Sequence, residues 1–513
     1  MNMIGLLILY CVVMSDAFFE INVYDDELNN LPFQHAYPRH LRARKVTTPL
    51  IVDGLLNDPE WESAMWDSEF VDITDHQNES LNNVPESFQT AVALLWDDDY
   101  LYVGVRMKEP FIYGNITGHN LQAPYHDNDF EVFIDVSGST EYYKEFEMNV
   151  LNATYDVNWG VPDNAGLSCD DTDDGRKPYL PICVNTTFSG YSGNWTMKDD
   201  REDIEEGNKG LVTATNFAKN TFGNFVDGAE WTMEIAFPIE RSEHHGGLLD
   251  TFGDDKSYYK YHPKYSNGTT SLYWWIDFAR AEHPRKYISK HTMASISEKF
   301  CPLDCAEYLN MYEASLENPD GGECIRLQEQ FPTLLGTNPV YGCYFEWVYQ
   351  ALGRRNNYMH RPAEWAMVEF TNADESCRNI EFVGRHAVKL IYLAEVEYKK
   401  QIGTYTSELK VLSDSRYCLD DQDCADIRTI MEREDVFTDV QINVIENVSI
   451  LNKYCTSRPC FHARVQVSVP ISSPNDQITH VYIATVNENM KIGIQNLEPS
   501  LTSNRILRQN ICY

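Results

Sequence analysis

The chain has 513 residues, long enough for two or three hydrophobic cores, and carries 78 acidic against 41 basic residues for a formal net charge of −37 at pH 7. That charge repels nucleic acid and anionic membrane surfaces over about a Debye length, so neither is an expected partner. The acid excess has two readings: a solvated surface that keeps the chain soluble, or clustered carboxylates that hold calcium, the one candidate cofactor, in a structural role.

The apolar run at residues 4–14, closed by Ser15 and Ala17, reads as a signal peptide over residues 1–17; no Lys or Arg precedes it, and an uncleaved anchor is the competing reading. No later apolar run is long enough to cross a bilayer. The expected product is therefore extracellular, with no membrane span once the signal is removed. Glycosylation acceptors of the form Asn-x-Ser/Thr agree with export and lie at Asn78, Asn115, Asn152, Asn185, Asn194, Asn267 and Asn447. Of 13 cysteines, Cys11 leaves with the signal, and an even twelve meet an oxidising lumen. Close neighbours are the candidate disulfide partners: Cys169 with Cys183, Cys301 with Cys305, Cys418 with Cys424, and Cys455 with Cys460. Zinc would need Cys and His quartets in a reducing compartment.

Residues 18–44 are polar with scattered aromatics and no clear period, and read as a leader ahead of a β-rich region spanning 45–375. At 90–108 an apolar run ends at Asp97, Asp98 and Asp99. Beyond it Leu101, Val103, Val105 and Met107 alternate with Tyr102, Gly104 and Arg106, a hairpin with one buried face. Phe130, Val132 and Ile134 alternate with Glu131, Phe133 and Asp135, and Phe146, Met148 and Val150 with Glu145, Glu147 and Asn149. Trp231, Met233, Ile235 and Phe237 share a face, and 273–278 is a further strand. Short strands between Gly, Asn and Asp clusters predict a mainly β protein, an antiparallel β-sandwich with long loops at 160–210 and 241–270. A small disulfide-bonded α+β domain is expected at 376–513. There Val388, Ile391, Tyr392, Glu395 and Tyr398 fall at helical spacing up to a stop at Gly403. Alternating stretches follow at 461–469 and 481–495, the second turning at Asn487 to Asn489.

Five segments in order resemble the family 9 carbohydrate-binding modules and their stand-alone relatives. They are IVDGLLNDPEWESAMW at 51–66, LLWDDDYLYVGVRMKEP at 94–110, YHDNDFEVFID at 125–135 with YYKEFEMNV at 142–150, WWIDFARAEHP at 274–284, and NNYMHRPAEWAMVEF at 356–370. The helix at 385–401 and GTYTSELKVL at 403–412 are similar to a C-terminal extension of the stand-alone type. The resemblance implies a jelly-roll or DOMON-like sandwich that recognises a glycan or polysaccharide, in the service of carbohydrate catabolism. In the family two Trp side chains clamp the end of a saccharide, because sugar rings present apolar faces to aromatic planes. Tyr125 stands at the first clamp position and Met359 at the second. Glu131 and Asn356 stand where sugar hydroxyls are hydrogen-bonded, and Glu147 stands where an Arg is expected, trading a donor fork for an acceptor. A plainer reading has Tyr125 capping a strand edge and Met359 and Trp365 in the core. Glu131, Glu147 and Asp135 share one side of their strands, with solvated charge favoured over sugar acceptor or calcium ligand.

The sequence contains no Gly-x-Ser-x-Gly elbow, no His-Glu-x-x-His helix and no phosphate-cradling glycine loop. Acidic residues are so abundant that a glycosidase-like carboxylate pair can be drawn anywhere, so they decide nothing. His244 and His245 read as surface residues. Haem ligation by Met359 or His360 is disfavoured because strand neighbours face opposite ways. The expectation is non-catalytic glycan recognition. The alternatives are an extracellular protein-interaction or structural role on a degraded sugar-binding fold, and a glycoside hydrolase acting on O-glycosyl compounds.

Overall fold

The computed structural model describes residues 31–72, 84, 86–110, 112–119, 124–158, 210–224, 226, 228–240, 247–249, 261–265, 272–282, 336–338, 342–349, 362–371, 377–445, 460–473, 476–488, 490–497 and 511–512. The N-terminal part contains β1 (His40–Lys45), the short helix α1 (Pro59–Glu62), β2 (Val71–Asp72), β3 (Thr90–Trp96), β4 (Tyr100–Lys108), β5 (Asp129–Asp135), β6 (Lys144–Asn149) and β7 (Thr154–Asn158). It continues with β8 (Val212–Phe217), β9 (Glu230–Pro238), β10 (Leu272–Glu282), β11 (Gly336–Asn338), β12 (Gly342–Tyr349) and β13 (Ala366–Thr371).

These strands hydrogen-bond in the order β7-β6-β5-β10-β13-β1-β3-β4-β9-β8, with β12 beside the second half of β10 and linked to β2 and β11. The sheet curls until its two ends face each other. Phe146 of β6 meets Phe237 of β9 edge-on at 5.1 Å, although those strands lie near opposite ends of the order. Thr213 and Thr215 of β8 close the gap by donating to Asn152 Oδ1 and the Val150 carbonyl at 2.7 and 2.8 Å. The result is a two-layered sandwich. Its core is the one the alternation predicts: Phe130, Val132 and Ile134 face Val103, Val105, Met233 and Ile235, all buried in one cluster. Each such side chain contributes roughly 1.5–3 kcal/mol by leaving water.

Two expectations need correction. The sheet is not wholly antiparallel, because β1 runs parallel to both β13 and β3. The stretch read as a leader also supplies this central strand, and Leu31, Phe33 and Ala36 ahead of it are buried. The period of β1 was hidden by its polar face: Leu41 and Ala43 enter the core, whereas His40 turns outward to Glu369 at 3.0 Å.

Buried carboxylates organise the turns. Asp97 accepts from the Asp99 and Tyr100 backbone N–H groups at 2.8 and 2.7 Å and from the Tyr102 hydroxyl at 2.7 Å, closing the β3–β4 hairpin. Glu234 of β9 fastens the segment before α1, accepting from Trp61 Nε1 at 2.8 Å and from the Asp53 and Gly54 N–H groups at 3.0 and 2.7 Å. Gly54 sits at φ +81°, and a Cβ there would lie 2.6 Å from the Thr215 carbonyl carbon, so only glycine fits.

The C-terminal part begins with β14 (Cys377–Arg378), then α2 (Phe382–Ile402), α3 (Leu409–Leu412), α4 (Asp421–Glu432), β15 (Phe437–Ile445), β16 (Cys460–Ser473), β17 (Asp476–Asn487), β18 (Ile492–Leu497) and β19 (Ile511–Cys512). Helix α2 stops where expected, at Gly403 in the left-handed region with φ +91°. Asp420 caps α4 by accepting from the Asp423 N–H at 2.8 Å. Strands β15-β16-β17-β18 form an antiparallel sheet. One face of α2 packs on it, and the same buried cluster reaches Phe133, Trp275, Trp365 and Met367 on the outer face of the sandwich. The Ile492 N–H to Ser139 carbonyl bond at 3.0 Å and the Thr140 hydroxyl to Met490 carbonyl bond at 2.7 Å tie the two parts together. No helix among the described residues is long and apolar enough to cross a membrane.

Candidate functional site

Strand alternation places Asp129, Glu131, Phe133 and Asp135 of β5 on the face away from the sandwich core. Register then builds rows across that face: Glu131 lies opposite Glu147 of β6 and Ala279 of β10, Asp129 opposite Asn149 and Ala281, and Phe133 opposite Glu145 and Asp277. Two small alanines thus border the carboxyl groups on the β10 side.

These acids are not solvated charge. Asp129 and Asp277 are fully buried, and Glu131, Glu145 and Glu147 are 4%, 6% and 2% exposed, which overturns the favoured sequence reading. Periodicity gave the face correctly but could not tell whether water covers it. Burial, then the neighbouring Glu145 and Asp129, push the Glu147 carboxyl well above the usual carboxylate range. Burial also pushes Asp277 well up, with the Phe278 N–H bond opposing and Glu364 adding to the effect. That direction favours the protonated form of Glu147, whose O–H can donate. At the position where the resemblance leads one to expect an Arg donor, a carboxyl raised in this way can donate in its protonated form as well as accept.

Tyr125 belongs to this site. It lies half-buried in a single turn, Pro124–His126, and its backbone N–H donates to Glu147 Oε2 at 3.2 Å. The turn is held from behind by Asp127, whose Oδ2 accepts from the Asn115 and Ile116 N–H groups at 2.6 and 2.7 Å and from Asn149 Nδ2 at 3.1 Å. Asp135 plays a different part: its two oxygens accept from the N–H groups of Ser137, Gly138 and Thr140 and from the Ser137 hydroxyl, all within 3.0 Å. It shapes the loop after β5 and offers nothing to a ligand.

The structure thus brings Tyr125, Glu131 and Glu147 together, while Asn356 and Met359 lie outside the described residues. Glu145, which the alternation sets beside Glu147, joins the face, and so do Asp129 and Asp277, which the sequence reading does not single out although alternation from Glu131 and Trp275 marks both. Among the described residues no three Asp, Glu, His or Cys side chains converge as a bound cation requires. Trp365 is core, 1% exposed, as its plainer reading held.

Of the expected disulfides, Cys418–Cys424 is present with Cα atoms 5.4 Å apart. Cys460 is disulfide-bonded as well. Cys169, Cys183, Cys301, Cys305 and Cys455 lie outside the described residues. Asn115 is exposed and Asn152 half-buried. Asn78, Asn185, Asn194, Asn267 and Asn447 are outside the described set, as are His244, His245 and His360.

Residues 52–170, which include Tyr125, Glu131 and Glu147, match the family model described as carbohydrate family 9 binding domain-like. Over those residues the chain is similar to the family 9 carbohydrate-binding modules. Solved structures similar to it include a family 9 module from Caldicellulosiruptor kristjanssonii in complex with cellotriose, at 10% identity and a TM-score of 0.28 over 67% of this chain and 96% of that one. A family 9 module from the same organism in complex with glucose stands at 12% identity and 0.24 over 48% and 78%. A Bacteroides uniformis structure stands at 11% identity and 0.31 over 65% and 99%. No curated protein matches the chain.

Proposed function

We propose that the family 9-like module makes this chain a secreted, N-glycosylated glycan-binding protein of non-catalytic type, serving carbohydrate breakdown. Tyr125 offers its ring to a sugar face, Glu131 accepts from a hydroxyl, and Glu147 in its protonated form donates. Asn356 and Met359, placed by resemblance, complete the contact set. The observation that carries this reading is the Tyr125 turn seated on Glu147 directly across from Glu131, inside the segment that matches the family. A protonated donor beside an acceptor, on a face where the described residues of β5, β6 and β10 place no cationic side chain, suits an uncharged saccharide better than an acidic one, whose charge would be buried without a partner. Affinity electrophoresis of the full chain through gels containing cellulose- or xylan-type polysaccharides tests it. Retardation is expected, reduced by Tyr125→Ala; a blank panel in which a family 9 control is retarded removes the proposal.

A second reading is favoured by the burial of Glu131 and Glu147. A face so enclosed suits a fold released from sugar binding to hold an extracellular protein. Stoichiometric capture of one partner that free saccharides do not displace would select it.

A further inference from the structure

One carboxylate oxygen, Asp426 Oδ2 on α4, faces two imidazoles. His35 Nε2 approaches to 3.0 Å from the segment that leads into β1, and His386 Nε2 to 3.2 Å from α2. The second oxygen, Oδ1, accepts from Gln422 Nε2 at 2.9 Å. Phe33 seats the same segment, its ring centred 4.8 Å from His386 and 5.7 Å from Phe437. His386 is 5% exposed and its Nδ1 has no hydrogen-bond partner. We propose that His35, Asp426 and His386 form an acid-sensitive latch that holds the segment ahead of β1 against the C-terminal helices and releases it on acidification.

The charges around His386 set the direction. Lys389, one turn along α2 and paired with Glu364 at 3.5 Å, adds positive charge, while Arg385, stacked 4.2 Å over the Trp275 ring, is paired with Glu381 at 3.8 Å. Asp426 is the acid in contact, and His35 already shares its oxygen. A proton on closed His386 therefore makes a buried cation whose contacting acid, Asp426, is already engaged by His35. Burial holds this imidazole down at about 4, against the pull of Asp426. Burial works to raise Asp426, but bonds from His386 and Gln422 bring it below the usual carboxylate range, so it stays ionised while His386 takes up its proton.

Once the latch opens, His386 meets water and takes a proton near its ordinary 6.5. Between that value and about 4, opening binds one proton, so the open population rises up to ~10-fold per pH unit, and on the order of 100-fold across the window. The His35 side chain is 37% exposed, so solvent screens its contact with Asp426 and the buried His386 sets the direction. Release has a structural consequence, because His386 also lines the cleft between α2 and the sandwich together with Trp275, Trp365 and Arg385. Opening uncovers aromatic surface on the outer face of the sheet.

Hydrogen exchange of the full chain between pH 7 and 4, corrected for intrinsic rates, tests the latch. Amides of residues 31–37 should lose protection by roughly two orders of magnitude in the wild type. In His386→Phe, which keeps an aromatic ring between Phe33 and Phe382, the loss should shrink to a few-fold. Equal pH dependence in both proteins, or none in the wild type, overturns the proposal. Imidazole titration by NMR in the wild type does not depend on how the variant folds: His386 staying neutral down to about pH 4 supports the latch, and titration near 6.5 refutes it.

Discussion

Glu395 on α2 is fully buried; its Oε2 accepts from the Thr406 N–H at 3.0 Å, and its Oε1 has no hydrogen-bond partner. Burial pushes this carboxyl up to about 8, with the Thr406 bond opposing. The folded protein thus keeps a proton that the unfolded chain surrenders near 4.5. The contribution to stability is complete below that value and drains away as pH rises toward 8, by up to about 1.4 kcal/mol per unit. Glu395→Gln keeps the shape without the titration. Urea unfolding at a series of pH values should show a flatter decline between pH 5 and 8 for the variant, and parallel curves would contradict the assignment. Glu147 makes a comparable case for ligand binding. Glu147→Gln preserves a neutral donor and should bind saccharide within a few-fold of wild type, whereas Glu147→Ala should lose about tenfold, near 1.4 kcal/mol. Equal affinities for the two variants would remove the donor role.

Among the elements, the turns bear more of the specification than the strands do. The approach to α1 depends on Gly54, where a side chain meets both a left-handed backbone and the Thr215 main chain. Gly54→Ala should cost about 2 kcal/mol or more, read as a lowered denaturation midpoint with an unchanged urea slope. The Cys418–Cys424 bridge closes a small loop at the start of α4, at a sequence separation of 6. Chain-entropy reasoning gives about 2 kcal/mol for its loss in the double Cys→Ser variant. Elements with a strong apolar period were legible from the sequence: the β3–β4 hairpin, β5, β6, β9 and α2. Those with few apolar residues were not. Helix α4 buries Cys424, Ile427 and Ile430 within an otherwise polar stretch. Strand β15 buries only Phe437 and Ile442 along its length.

For the molecule as a whole, the sequence carried the sandwich and the face on which the candidate site lies, because alternation along each strand is a local property. It did not carry the cover over that face. Glu131 and Glu147 read as solvated since burial by distant segments leaves no mark on their neighbours in the chain. Burial raises the Glu147 and Asp277 carboxyls and so favours their protonated forms, which is why the proposed ligand is an uncharged saccharide. The mixed centre of the sheet escaped for a similar reason: β1 is recognisable only once β13, more than three hundred residues away, lies beside it. The most direct check is calorimetric titration of the full chain with a neutral cello-oligosaccharide at pH 7, comparing wild type with Glu131→Gln after both show the same unfolding midpoint. Saturable binding that weakens about tenfold in the variant is predicted, because the amide replaces one of the two acceptor oxygens by an N–H donor; equal affinity, or no heat from either protein, contradicts the assignment of this face as the glycan site.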